Sequence, residues 1–347
     1  MPAISIDTFF ACSLLVSVAL LATASLAGTM QDQINSMQDL NKDAYLKNIA
    51  ENVVKSYGTP VDWGSAGTVP NSFGLADSES SYLYALDIDK ISRLNSENGY
   101  SLSYFQASVA ARLNNIALGI SISQMLSITT ALSSTSSIGD ETAYTFEISV
   151  SQASGPTSTS LQCYVIAKDF VSNVSNNTSS SGVGYVTVQI PNASNGPALL
   201  VVFARATFDD RITAYGTYSF AHLSQEPLPN HTFLGLSPLN YTLSLEAKFP
   251  DVIIEHGYAF SYAYQSNLTS TSATTYTIPE LVDKSPTVLV ISGLNGTSSF
   301  AGWTAYPDIP LNFGSDFENS EQNVFVYTVL VKGTLYKLTL SFGDVVK

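Results

Sequence analysis

Between Asp7 and Asp32 the chain carries no charged side chain, and this 24-residue gap constrains its fold more than any other feature. Phe9 to Gly28 reads FFACSLLVSVALLATASLAG, 20 apolar or small residues in succession. As a helix that length crosses the hydrocarbon core of a bilayer, whereas helices packed in protein cores are rarely apolar for so long. A secretory signal needs a basic start and a small-x-small cleavage site. The second is present, at Ser25-Leu26-Ala27 or Ala22-Thr23-Ala24, but the first lysine is Lys42. The missing basic region favours a retained anchor over a cleaved signal.

Helical spacing continues past the apolar run. Met30, Ile34 and Met37, then Leu46, Ile49, Val53 and Tyr57, recur at three- and four-residue intervals. Gly58-Thr59-Pro60 then supplies a stop, with glycine just beyond the end and proline two residues on. The spacing predicts one helix from Phe9 to Tyr57, lipid-facing in its first half and amphipathic in its second, about 70 Å long at 1.5 Å per residue.

This N-terminal arrangement resembles the archaeal type IV pilin-like (class III signal peptide) surface proteins. Were Met1-Pro2 a short leader, the mature chain would start Ala3-Ile4-Ser5-Ile6-Asp7, with an acid at the fifth position. The resemblance implies that such an acid pairs with a neighbouring subunit's terminal amine, since an unpaired carboxylate in lipid is costly. It implies anchoring and assembly through Ala3, Asp7, Phe9, Phe10, Leu14, Leu15, Val18 and Leu21. A second stretch is similar to the segment following the helix in such proteins: Tyr57-Gly58-Thr59-Pro60-Val61-Asp62-Trp63-Gly64, Pro70 to Ala76, and Leu86 to Lys90 with Arg93-Leu94-Asn95. It reads as a Gly/Pro-punctuated loop, a short helix from about Asp87 and another over 103–113. The charges of Asp87, Asp89, Lys90 and Arg93 read as a solvated, self-paired surface rather than a metal site.

Beyond Asn115 the period changes to two. Tyr144, Phe146, Ile148 and Val150 alternate with hydroxyls and a glutamate, and 161–167 and 185–190 repeat the pattern. Residues 198–203 (ALLVVF) are continuously apolar and suit a central strand, and 212–220 close the set. Glu226-Pro227-Leu228-Pro229-Asn230 reads as a linker. Further strands are expected at 241–249, 252–264, 274–278, 287–291, 300–306, 323–332 and 335–342, the last two joined tightly at Gly333-Thr334. The expected fold class is mainly β with an α N-terminus: a helix over 1–57, a helical and loop connector over 58–139, a β-sandwich over 140–222, a linker over 223–231 and a second sandwich over 232–347. Both sandwiches read as immunoglobulin-like.

Asn-x-Ser/Thr sequons occur at Asn173, Asn176, Asn177, Asn192, Asn230, Asn240, Asn267 and Asn295, all beyond residue 172. Their clustering away from the anchor fits a glycan-coated exterior, although a Ser/Thr/Asn-rich chain also makes sequons by chance. Charged residues are 12% of the chain and the net charge is −14, so no basic surface for nucleic acid can form.

Catalytic and metal motifs are not apparent. His222, His231 and His256 lack metal-ligand spacing, and the first two flank the expected linker as solvated loop residues. Asp209-Asp210-Arg211 reads as a surface turn, with calcium as its rival. Trp63 and Trp303 suit core packing more than a carbohydrate platform. Cys163 sits at a buried strand position, while Cys12 lies in the apolar run, so a bridge between them is not expected. The sequence thus points to a non-enzymatic, cofactor-free, membrane-anchored cell-surface glycoprotein that self-assembles into a filament. A monomeric anchored module binding polysaccharide or a protein is the alternative.

Overall fold

The computed structural model describes residues 6–113, 116–224, 232–280, 283, 286–315 and 322–344. Within the N-terminal helix, side chains are described at 13–18, 20, 21, 23, 25, 30 and from 42 onward. The chain divides into two units, 1–50 and 51–347. It is mainly β, with 54% strand and 13% helix.

Helix α1 runs without interruption over Ile6–Lys55. Among the described residues no helix is long and apolar enough to cross a membrane, so the span expected at 9–28 is not among the structural findings. The helix stops where the glycine predicts. Gly58 takes φ +72°, and a Cβ there would lie 2.6 Å from the Ser72 carbonyl oxygen, a conformation and a space that suit only glycine.

Two short helices follow, α2 (Ile88–Ser92) and α3 (Tyr104–Ala110). The Asp87 side chain caps α2 by accepting from the amides of Asp89 and Lys90. Ser103 and Gln106 form a reciprocal capping box on α3.

Among the described residues, twenty strands complete the second unit. In chain order they are β1 (Ile116–Gln124), β2 (Ser127–Ile138), β3 (Glu141–Gln152), β4 (Gly155–Pro156), β5 (Thr159–Ala167), β6 (Phe170–Asn177), β7 (Val183–Pro191), β8 (Gly196–Ala206), β9 (Thr213–His222) and β10 (Leu234–Leu239). After these come β11 (Thr242–Ala247), β12 (Val252–Phe260), β13 (Gln265–Asn267), β14 (Thr269–Ser272), β15 (Thr275–Thr277), β16 (Thr287–Asn295), β17 (Ser298–Tyr306), β18 (Leu311–Gly314), β19 (Gln322–Val331) and β20 (Thr334–Asp344). The stretch 58–139, expected to hold helix and loop, therefore ends in two strands. Among the described residues these strands form five antiparallel sheets, ordered β2-β3-β4 with β7 on β3, β6-β5-β8-β9, β13-β12-β16-β17, β10-β11-β15-β14 and β18-β1-β20-β19.

The β5–β8 sheet is buried on both faces. Leu161, Cys163, Val165, Leu200, Val202 and Ala204 on one face join Phe146, Ile148, Val186 and Val188 of the β3–β7 pair in one core. Tyr164, Ile166, Leu199, Val201 and Phe203 on the other face join Tyr258, Phe260, Val288 and Val290 of the β12–β16 pair in a second. This explains the unbroken apolar run at 198–203, because a strand with no wet face has no polar alternation. The second core joins residues from both sides of the expected 223–231 linker, Tyr164 and Phe203 before it and Tyr258 and Val290 after it. Of that linker, 225–231 lies outside the described residues.

The chain's last strand returns to the start of the β region. β20 pairs with β1 over nine residue pairs, from Ile116 with Asp344 to Gln124 with Tyr336. The β19–β20 hairpin turns at Lys332-Gly333, where φ is +45° and +85° and Val331 faces Thr334. Two residues at positive φ match the right-handed strand twist. The turn lies one residue earlier than expected.

Candidate functional site

Asp87, Asp89, Lys90 and Arg93 were expected to form a solvated, self-paired surface, but Asp89, Lys90 and Arg93 are buried and Asp87 is half-buried. Lys90 is fully buried, and its Nζ donates to the carbonyls of Tyr57 at 2.9 Å and Ala76 at 2.8 Å, with the Asp87 carboxylate 3.8 Å away. Arg93 is likewise buried. Its Nη1 donates to the carbonyls of Trp63 and Thr68, its Nε to that of Tyr100, and its guanidinium lies 5.4 Å from the Trp63 ring centre. Burial lowers the pKa of both cations and raises that of Asp87, whose bonds from the Lys90 and Asp89 amides pull the other way. Trp63 is wholly buried and donates to the Gly74 carbonyl, as core packing predicts.

Asp89 faces the other way. Its Oδ1 accepts from the Tyr306 hydroxyl at 2.6 Å and the Asn240 amide at 2.7 Å, tying α2 to the end of β17 and to the β10–β11 turn. Burial, and then the Asp89 charge, push the Tyr306 phenol far above its ordinary pKa. Among the described residues no group of three or more His, Cys, Asp or Glu side chains that could hold a metal ion occurs.

Next to this anchored strut opens a cleft of about 850 Å³. Its wall is assembled from 77–85, Arg205, Asp210 and Arg211, Tyr241, 278–280, Asp283, 286–287, Tyr306 and 328–336. Among the described residues, five tyrosines line it, at positions 82, 84, 241, 306 and 336, together with three cations (Arg205, Arg211, Lys332) and four carboxylates (Asp77, Asp210, Glu280, Asp283). Arg205 is fixed on three sides: Nη2 to Asp283 Oδ1 at 2.6 Å, Nε to Thr213 Oγ1 at 3.0 Å, and its guanidinium 3.9 Å from the Tyr262 ring centre. Lys332 Nζ lies 5.3 Å from the Tyr241 ring centre. Burial works to lower its pKa, but the Tyr241 hydroxyl and the charges of Asp77 and Glu280 raise it overall. At the rim, Tyr82 and Leu83 stand 67% and 64% exposed. No sequence signal marks this cleft, since its residues come from six separated stretches.

The remaining candidates fall elsewhere. Asp209 is engaged by Arg211 through two charged hydrogen bonds of 3.0 and 2.9 Å, so the 209–211 turn is closed on itself. His222 was expected in a solvated loop, yet it is fully buried at the end of β9; Nε2 reaches the Pro191 carbonyl and Nδ1 the Tyr144 hydroxyl. His256 stacks on Tyr258, and His231 lies outside the described residues. Trp303 packs against the second core. Burial pushes the Cys163 thiol up to about 12, leaving it protonated and unreactive.

Of the sequons, Asn173, Asn176 and Asn177 lie on β6, an edge strand, and are exposed, as are Asn240 and Asn267. Asn192 and Asn295 are half-buried, and Asn230 lies outside the described residues. Asn176 Nδ2 donates to the Tyr185 carbonyl on β7, so the atom that would carry a glycan is already in use there. Among the anchor residues, Leu14, Leu15, Val18 and Leu21 are 57–72% exposed along α1. The side chains of Asp7, Phe9 and Phe10, and all of Ala3, lie outside the described set.

No protein-family model and no curated protein sequence matches the chain. Among solved structures it is similar to human GIVD cytosolic phospholipase A2, at 9% identity and a TM-score of 0.16. The match covers 66% of this chain and about a third (33%) of that one, and at that score it carries no argument.

Proposed function

We propose that this protein is a structural and adhesive cell-surface protein, anchored and assembled through α1 in the manner of a pilin-like subunit, with its β-rich unit outside the membrane. The observation that carries the reading is the division of the chain into a 50-residue helical unit and a β-rich unit over 51–347. Three features support it. The helix holds the 24-residue uncharged gap of the sequence. Its described leucines and valines at 14, 15, 18 and 21 are exposed. Its hydroxyls bond their own backbone, Ser17 to the Ser13 carbonyl and Thr23 to the Leu20 carbonyl, which lowers the cost of placing them in lipid. In this reading the sheets stand as immunoglobulin-like sandwiches coated with glycan at the exposed sequons, and Asp7 pairs with a neighbouring subunit's amine.

The test is assembly on detergent removal. Full-length protein is expected to form filaments visible by negative-stain microscopy and to sediment, while Leu14→Glu/Val18→Glu keeps the β unit folded and stays dispersed. Wild type that remains monomeric without detergent would overturn assembly. It would favour the alternative, a tethered binding module, which the 850 Å³ cleft supports.

A further inference from the structure

We propose that the tyrosine-lined cleft is a binding site for a neutral oligosaccharide. Its volume of about 850 Å³ falls within the roughly 300–1,000 Å³ of pockets that enclose small ligands. The chemistry of the wall narrows the class. A polyanion would face the carboxylates of Asp77, Asp210, Glu280 and Asp283, and a cation would face Arg205, Arg211 and Lys332. A wholly apolar ligand would strip water from both sets without replacing its hydrogen bonds. A neutral sugar can meet both kinds of group, because each hydroxyl both donates and accepts. Carboxylates accept hydrogen bonds from its hydroxyls, ammonium and guanidinium groups donate to its oxygens, and the C–H face of a pyranose packs on an aromatic ring.

The rim supplies that ring. Tyr82 is 67% exposed beside Leu83, an amphipathic pair left in water at the mouth of a cleft, where exposed apolar surface marks recognition. The floor is held rigid before any ligand arrives. Tyr336 is buried, Tyr306 is pinned by Asp89, and Arg205 is clamped by Asp283, Thr213 and Tyr262. A wall that need not be ordered on binding loses less affinity to entropy.

This inference names the ligand class for the adhesive part of the proposed function, but it rests on the β unit alone. The experiment is saturation-transfer difference NMR on the full chain in a detergent without a sugar headgroup. The neutral probes are maltotriose, cellotriose, mannotriose and chitotriose, set against a sulfated heparin oligosaccharide. At least one neutral probe is expected to receive saturation. Tyr82→Ala and Glu280→Gln, both exposed positions with unchanged melting temperature, are expected to weaken it by about fivefold or more. Three results would overturn the proposal: no neutral probe binding at millimolar concentration, tighter binding of the sulfated probe, or binding indifferent to both substitutions. The Leu14→Glu/Val18→Glu variant should bind sugar normally even though it fails to assemble, which separates a failure of the cleft from a failure of the anchor.

Discussion

Removing one oxygen atom at Tyr306 tests the strut that holds the cleft wall. The Tyr306 hydroxyl donates to Asp89 Oδ1 at 2.6 Å, and its oxygen lies 3.4 Å from the Tyr241 amide. Asp89 is 6% exposed, so water does not substitute readily for a lost donor. Tyr306→Phe keeps the ring and its edge contact with Tyr241 (5.7 Å between centres). It leaves the carboxylate with the Asn240 amide as its remaining donor. A hydrogen bond to a buried charge contributes about 1.5–3 kcal/mol, and the orphaned Tyr241 amide adds to the loss. Urea unfolding followed by the fluorescence of Trp63 and Trp303 is expected to show a destabilisation of about 2–3 kcal/mol with unchanged m. Asp89→Asn should be less than additive with it, with a coupling of about 1 kcal/mol or more, because the two changes disrupt one interaction. A Tyr306→Phe protein within about 0.5 kcal/mol of wild type, or strict additivity, would refute the strut.

Three further outcomes follow from the same packing. Lys90→Met removes the donor to two buried carbonyls and leaves Asp87 without its cation, and should destabilise by about 1–3 kcal/mol in the same assay after relief of the buried charge is offset. Gly58→Ala should cost more than about 2 kcal/mol, since φ is +72° and the new Cβ would meet the Ser72 carbonyl; Gly67→Ala, at φ +66° in open space, should cost only about 1 kcal/mol. Burial raises the phenols of Tyr164 (to about 12), Tyr215, Tyr306 and Tyr336 above their unfolded value of 10.0. The folded state thus holds protons that the unfolded state releases, so the stability these groups contribute is fully present below pH 10 and falls as pH rises through their folded values. Absorbance at 295 nm should show these four phenols titrating above pH 10 together with unfolding; reversible titration near pH 10 in the folded protein would contradict their burial.

The sequence disclosed those elements whose two faces differ. β3 and β7 alternate apolar and polar residues because one face of each meets a core, and the continuous apolar run of β8 announced burial on both sides. β2 and β6 were not legible, for the opposite reason. β2 is exposed over most of its length and rich in serine and threonine, and β6 is a polar edge. β1 did carry a signal, Ile116, Leu118, Ile120 and Ile122 at period two, but its partner β20 lies more than 200 residues along the chain. The candidate site was hidden by similar distances. Lys90 and Arg93 spend their charge on backbone carbonyls, which leave no mark in composition, and Asp89 meets a tyrosine 217 residues away. Charges that read as surface were the buried frame of the cleft.

The central claim, that α1 is a retained anchor for a surface-exposed β unit, is tested most directly by intact-mass analysis of the protein isolated from native cell envelopes. The account predicts a chain that keeps the 9–28 segment and begins at Ala3. A chain beginning near Ser25 or Gly28 would contradict it, because the helix that is proposed to hold the subunit would have been discarded.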